Sequence, residues 1–170
     1  AVATKTAVFV DAVKGTRAAI VDTRKTLPGL RVAQKYAVVM GGGVNHRMGL
    51  HDAVLIKENH IAAAGGVAAV LQRAQAFHKI AKFVEIEVET LAQLQEALDC
   101  GAKMVLLDNM DIATLNEAVR INAGRAVLEI SGGVGLETVR ALALTGVDRI
   151  SIGALTKDVK AVDLSMRIDS

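Results

Sequence analysis

Aromatic side chains are nearly missing from this chain, which has no tryptophan, one tyrosine and three phenylalanines in 170 residues. A surface that stacks nucleic-acid bases needs such rings, and a net charge of +2 leaves no strong electrostatic footprint, so nucleic-acid binding is excluded. Any anion bound here is expected to be small. Cysteine is just as scarce. The single Cys100 cannot close a disulfide within the chain, which suits a reducing compartment and points to the cytoplasm. Its position before Gly101, at an expected helix end, marks it as a small buried residue. Although 52% of the residues are hydrophobic, no apolar run approaches the ~18 residues of a membrane-spanning helix. The first residues lack the basic-then-apolar layout of a signal peptide. No zinc-type ligand spacing and no GxSxG elbow occur, so neither a zinc site nor an activated-serine hydrolase is indicated.

What the chain does contain is a recurring alternation. Short apolar runs at 18–21, 53–57, 83–88, 104–108, 126–130 and 149–152 have strand length. Between them the apolar spacing approaches 3.6, as in Val67, Val70, Leu71, Ala74 and Phe77, or Leu91, Leu94 and Leu98. Gly101, Gly124 and Gly146 stand where helices should stop. This is one domain over residues 1–170, built of β-α units with parallel strands and right-handed crossovers. An open dinucleotide-binding sheet should carry GxGxxG after its first strand, and DTRKT stands there instead. Within FVEIEVE, Val84, Ile86 and Val88 alternate with Glu85, Glu87 and Glu89, so one face carries three carboxylates. The same alternation groups Asp22 with Arg24, Lys57 with Asn59, and Glu129 with Ser131. A charged lumen follows. Because a closed eight-stranded barrel needs ~250 residues, the expected fold is an incomplete, open α/β barrel of about six parallel strands with outer helices.

Active sites of such barrels lie at the C-terminal strand ends. Here those ends read Thr23-Arg24-Lys25, Lys57-Glu58-Asn59-His60, Glu87-Val88-Glu89, Asp108-Asn109, Ser131-Gly132-Gly133 and Gly153-Ala154. The only proline, Pro28, forms a turn with Gly29 and fixes Arg24 and Lys25 at a rim. Glycine-rich ends on the last two strands let backbone N–H groups approach a phosphate, or serve only as tight turns. Glu87 and Asp108 suit Mg²⁺ as hard oxygen ligands, or pair with a lumen cation such as Lys57. Arg24, Lys25, Arg47 and Lys57 form a cationic wall. GGGVNHRMGLHD at 41–52 reads as a mobile backbone that presents His46 and Arg47 to a ligand. His78 is expected at an exposed helix end and His51 beside Asp52. Ala7, Val8, Val10 and Val13 form the inner face of a first helix that nothing caps. Residue 1 therefore reads as a cut through a larger protein.

Taken in order, DTRKTLPGLR, KYAV with GGGVNHRMGLHD, LIKENHI, VEIEVET, LLDNM, EISGGV and ISIGALTK closely resemble the catalytic barrel of the quinolinate phosphoribosyltransferase family. The resemblance spans nearly the whole chain. It implies transfer of ribose 5-phosphate from phosphoribosyl pyrophosphate to the ring nitrogen of quinolinate, with loss of pyrophosphate and CO₂, giving nicotinate mononucleotide for NAD biosynthesis. It makes Arg24, His46, Arg47 and Lys57 the holders of the quinolinate carboxylates, and puts Lys25 near the pyrophosphate. Glu87 and Asp108 would bind the Mg²⁺ complex of phosphoribosyl pyrophosphate, through water or ribose hydroxyls. Catalysis is then expected to rest on Lys25, Lys57, Glu87 and Asp108. Ser131, Gly132, Gly133 and Gly153 would cradle the 5-phosphate. Lys157 stands where many members have His and is a further phosphate contact. The resemblance further leads to the expectation that residues 1–170 are the catalytic barrel alone, with the family's N-terminal domain absent from this chain. Since the resemblance implies a homodimer or larger assembly with a site shared between subunits, the isolated piece is expected to be nearly inactive. Two rivals remain: a Schiff-base barrel using Lys57 amid other cations, and a non-catalytic barrel that only binds phosphometabolites.

Overall fold

A computed structural model describes residues 1–168 of the chain. Its helices are α1 (Val2–Ala12), α2 (Arg31–Met40), α3 (Glu58–Ala64), α4 (Val67–Ala74), α5 (Leu91–Asp99), α6 (Ile112–Asn122), α7 (Leu136–Leu144) and α8 (Ala154–Lys157). The strands are β1 (Ala19–Val21), β2 (Val54–Ile56), β3 (Val84–Val88), β4 (Met104–Asp108), β5 (Val127–Ser131) and β6 (Arg149–Ser151). Each apolar run singled out in the sequence holds one strand.

Local chemistry sets the element ends. The Thr90 hydroxyl accepts from Gln93 N–H to start α5, and the Asp111 carboxylate does the same for Thr114 at α6. Gly101, Gly124 and Gly146 adopt positive φ just beyond α5, α6 and α7. Before α2, the turn from Leu27 to Leu30 closes with a 3.1 Å backbone hydrogen bond, and Gly29 takes φ +73°. A side chain there would cost conformational energy that glycine avoids.

All strand pairs are parallel, in the order β1-β6-β5-β4-β3-β2. The sheet is open between β1 and β2, as expected of an incomplete barrel. Among the described residues a single parallel bridge, Val21 to Val44, extends the free edge of β1 toward the gap. On the outer face Ile86, Val105, Leu107, Leu128 and Ile150 are buried with the inward helix residues Leu94, Leu115 and Val139. Leu107 is completely buried, so truncation to Ala would cost about 2–5 kcal/mol. The inner face carries Glu85, Glu87, Glu129 and Arg149. Alternation thus divides β3 as expected, except that Glu89 is exposed.

Several expectations need correction. Cys100 caps α5 but is exposed, because it sits on the solvent side of the last turn. In α1 the buried residues are Thr6 and Phe9, followed by Val13, while Val8 is 46% exposed. Phe77 lies in a 3₁₀ turn, Gln75–Phe77, beyond the end of α4, and is likewise exposed. The triglycine is a close-packing device and not a mobile connection. A Cβ on Gly41 would lie 2.4 Å from the Ala3 carbonyl oxygen, and one on Gly43 would lie 2.8 Å from both Thr6 Cγ2 and Val38 Cγ1. His51 is exposed, and Asp52 instead accepts from Met48 N–H and Gly49 N–H, with Lys82 Nζ at 3.5 Å. Asp22 reaches the cavity together with Arg24, as expected, but its carboxylate is taken up on the helix side of β1. Val21 pairs in register with Ser151, which lines the lumen, and Asp22, one residue on, binds Lys35 of α2.

Candidate active site

At the C-terminal strand ends lies a cavity of about 340 Å³. Arg24, Lys25, His46, Arg47, Lys57, Glu87 and Ser131 all line it, so residues from five separate stretches of sequence converge as expected. Thr23, Ser151 and Glu129 line it too. Asn59, expected beside Lys57, is exposed and bonds Glu58 instead.

On one wall, Arg24 and Arg47 lie near each other. The Nε of Arg24 is buried without a hydrogen-bond partner, and Arg47 spends one N–H on the Ala53 carbonyl at 3.3 Å. Burial first, and then the charge of Arg24, lower the pKa of Arg47, with Glu85 and Asp52 opposing. A pair of partly desolvated guanidiniums with an unsatisfied donor is a site for an anion, since a carboxylate would supply both the acceptor and the countercharge. Lys57 is 44% exposed and sits 2.5 Å from Glu87 Oε2. Its backbone N–H is held by His60 Nδ1 at 2.9 Å.

Asp108, Gly132, Gly133, Gly153 and Lys157, also expected at the site, are not among the residues that line this cavity. Gly132 and Gly133 take φ +98° and +58°, and a Cβ on Gly132 would meet the Asn109 backbone at 3.3 Å. Asp108, at the end of β4, is the register partner of Ser131 and is half-buried. Among the described residues its carboxylate makes no hydrogen bond or ion pair. Gly153 sits at the start of α8 beside Thr23, Lys25 and Lys157. Glu87 and Asp108 do not stand level: Glu87 pairs with Leu106, placing Asp108 two residues nearer the mouth.

Beneath the cationic wall the lumen floor is built from His46, Glu85, Glu129 and Arg149. His46 is 9% exposed, its Nε2 lies 2.8 Å from Glu85 Oε2 and 3.5 Å from Glu129 Oε1, and its ring meets Phe83 edge-on. Its Nδ1 accepts the Arg47 backbone N–H at 2.8 Å. The ring proton therefore resides on Nε2 and is directed to Glu85, a tautomer assigned from the hydrogen bonds. Burial lowers the His46 pKa, with Glu129 opposing. Burial likewise pushes both Glu85 and Glu129 up to about 7. Arg149 Nε lies 2.8 Å from Glu129 Oε2, yet neither group makes an aligned hydrogen bond, so charge alone holds this pair. The trio His46, Glu85 and Glu129 has its ligand atoms within 4.8 Å of one another. It is nonetheless unsuited to a metal, because Nε2 carries the proton and Arg149 already supplies the countercharge.

Sequence reasoning passed over Lys35, whose side chain is fully buried against Asp22. It also left Arg31 unassigned, although PGLR had drawn attention to it. A lysine in a helix with an aspartate 13 residues earlier carries no local signal of pairing.

Fold and cavity together define an open, parallel β/α barrel with a cationic cavity at the C-terminal strand ends. Within that class the chain belongs to one family: residues 2–167 match the quinolinate phosphoribosyl transferase C-terminal domain. It is 48% identical over 168 residues to a nicotinate-nucleotide pyrophosphorylase (carboxylating) of Mycobacterium leprae, covering 97% of this chain and 59% of that protein. It is 46% identical over 171 residues to a quinolinate phosphoribosyltransferase (decarboxylating) of Nicotiana glauca, covering 90% and 49%. Among solved structures, the nicotinate-nucleotide pyrophosphorylase of Francisella tularensis superposes with TM-score 0.92 at 47% identity, covering 96% of this chain and 58% of that one. The chain thus spans between half and three-fifths of the length of these relatives.

Proposed function

We propose that this barrel carries phosphoribosyl transfer from phosphoribosyl pyrophosphate to quinolinate, with decarboxylation to nicotinate mononucleotide. The observation that carries this reading is the Arg24–Arg47 pair on the cavity wall, with a buried donor left unpartnered. Quinolinate brings two adjacent carboxylates to such a wall. Lys57 extends the wall from the neighbouring strand end, and His46, with both ring nitrogens engaged, supports Arg47 from below.

Cleavage of the C1–pyrophosphate bond leaves an oxocarbenium-like ribose, which the pyridine nitrogen attacks with its lone pair. No protein nucleophile is needed. Positioning of the nitrogen and neutralisation of the leaving diphosphate carry the rate. Lys25 and Lys157, around Gly153, would hold phosphate charge, and Ser131, Gly132 and Gly133, at the end of β5, offer backbone N–H groups to it. Glu87 and Asp108 would hold Mg²⁺, which supplies further positive charge at the diphosphate. The donor set fits: two hard oxygens on adjacent strands, one carboxylate free of protein partners and the other shared with Lys57. Once the ring nitrogen is cationic, the neighbouring carboxylate leaves as CO₂, its electron pair stays on the ring carbon, stabilised by the adjacent positive nitrogen, and that carbon then takes a proton. Arg24 and Arg47 keep the dianion in register until CO₂ leaves.

In this reading the protein works as a homodimer or larger assembly, and a partner subunit closes the mouth. The exposed, unpaired Cys100 suits the cytoplasm. No helix among the described residues is long and apolar enough to cross a membrane. The Schiff-base alternative loses ground, because Lys57 is half-exposed and paired with a carboxylate where that chemistry wants burial among cations. The test is incubation of the natural full-length polypeptide with quinolinate, phosphoribosyl pyrophosphate and Mg²⁺. Release of CO₂ and pyrophosphate in equal amounts is expected. Binding of both substrates without CO₂ would leave only the non-catalytic barrel.

A further inference from the structure

The gap between β1 and β2 separates the two arginines of the cationic wall. Arg24 follows β1, and Arg47 lies in the segment that crosses toward β2. The last ladder contact between the two segments is the Val21–Val44 bridge, where Val44 N–H donates to Ile20 O at 2.8 Å and Asp22 N–H to Val44 O at 3.1 Å; beyond it, among the described residues, no ladder hydrogen bond reaches Arg24 or Arg47. Helix α2 supplies what the ladder lacks.

Arg31, its first residue, donates from Nη2 to the Arg24 carbonyl at 3.1 Å and from Nε to Thr26 Oγ1 at 3.1 Å. Its Nη1 reaches the carbonyl of Met48, the residue after Arg47, at 3.4 Å. One planar fork therefore ties both arginine-bearing segments through their main chains. One turn further, the buried Lys35 pairs with Asp22 and donates to the His46 carbonyl at 3.3 Å, while Asp22 also accepts from His46 N–H at 2.9 Å. These contacts hold the other ends of the same two segments.

We propose that Arg31 is a positioning residue that sets the separation of Arg24 and Arg47, and through it the preference for an acceptor with two adjacent carboxylates. This rests on the function proposed above. A dicarboxylate must satisfy both guanidiniums at one spacing, whereas a monocarboxylate tolerates their drift. Small misplacements of a binding group cost large factors in affinity. The main-chain acceptors of Arg31 are partly exposed, so water can replace it there and the fold should survive its loss.

The experiment compares Arg31→Met and Arg31→Lys with the parent in the natural full-length polypeptide. Each is titrated with quinolinate, with nicotinate, and with phosphoribosyl pyrophosphate plus Mg²⁺. Arg31→Met should lose about tenfold in quinolinate affinity, with nicotinate and phosphoribosyl pyrophosphate within about twofold of the parent, so that the quinolinate-to-nicotinate ratio collapses. Arg31→Lys, which keeps the charge but not the fork, should fall between them. An unchanged ratio in Arg31→Met overturns the inference while leaving the proposed function standing, and so does a proportional loss of all three ligands. If Arg31→Met fails to fold, the ratio in Arg31→Lys decides in the same way. A parent that does not bind quinolinate overturns both readings.

Discussion

Lys25 and Lys157 meet at Gly153: a methyl group on that glycine would lie 3.5 Å from Lys25 Cδ and 3.9 Å from Lys157 Cε. Neither contact is a clash, and Gly153 has φ −62°, which any residue adopts. Gly153→Ala should therefore change stability by less than about 1 kcal/mol in urea unfolding. Phosphate binding is the property at risk, because the methyl fills the approach between the two lysines. About a tenfold weaker affinity for phosphoribosyl pyrophosphate is expected from titration. Marked destabilisation with unaltered affinity would assign the glycine to packing alone.

Gly41 presents the reverse case. Its φ of −86° is ordinary, but a Cβ would stand 2.4 Å from Ala3 O and 2.7 Å from Thr6 Cβ. Gly41→Ala should cost about 1–3 kcal/mol by pushing α1 off the barrel. Gly15 has open space around it and φ +80°, so Gly15→Ala pays about 1–2 kcal/mol for conformation only. Asparagine tolerates that conformation, and thermal melts should find Asn milder than Ala at 15 but worse than Ala at 41.

The third expectation concerns acid. Burial by itself would raise the Asp52 carboxyl, but the Met48 and Gly49 amides and the Lys82 ammonium outweigh it and hold the pKa at about 2. A carboxyl depressed in the folded state stabilises above its unfolded value, and that stabilisation is lost as pH falls toward the folded value. Asp52→Asn should therefore be less stable than the parent by about 1 kcal/mol at neutral pH. The difference should shrink between pH 4 and pH 2, as chemical denaturation at several pH values would reveal. A deficit that stays constant across this range would mean that the charge contributes nothing.

At the lumen floor, Arg149 is the guanidinium facing the buried carboxylate of Glu129. Above about pH 7, where Glu129 is ionised, Arg149→Met would strand that charge, and because the carboxyl can take up a proton in relief, the cost is about 1–3 kcal/mol. Adding Glu129→Gln in the same chain should recover most of the loss, since a neutral amide needs no countercharge. Urea unfolding of the two single variants and the double variant measures the coupling directly. Additive losses would show that the two side chains stabilise the floor independently.

Much of this molecule is legible along the chain. The six strands stand at the six apolar runs, and β3 sends Ile86 to the helices and Glu85 to the lumen, because a period of two is written in adjacent residues. The rim turn at Pro28-Gly29 and the helix-ending glycines are equally local. So is the gathering of Arg24, Arg47 and Lys57 at one end of the barrel, since strand direction decides which ends share a face.

Partnership was not legible. The alternatives for Glu87 were a metal or a lumen cation, and the fold brings Lys57 to 2.5 Å from it while leaving Asp108 a step nearer the mouth. His46 lines the cavity as expected, but its ring nitrogens are taken by Glu85, 39 residues away, and the Arg47 amide. The glycines before it looked like slack and proved to be contact points for α1. Lys35 and Arg31 drew no role at all. The sequence by itself determined which residues form strands and helices and at which end the charges collect, because those choices depend on neighbours within a few positions. Only the tertiary structure decided which cation meets which carboxylate and which helix holds the two arginines. Those distances depend on how far the open sheet curls and on what crosses its gap, and no short stretch of the chain encodes either.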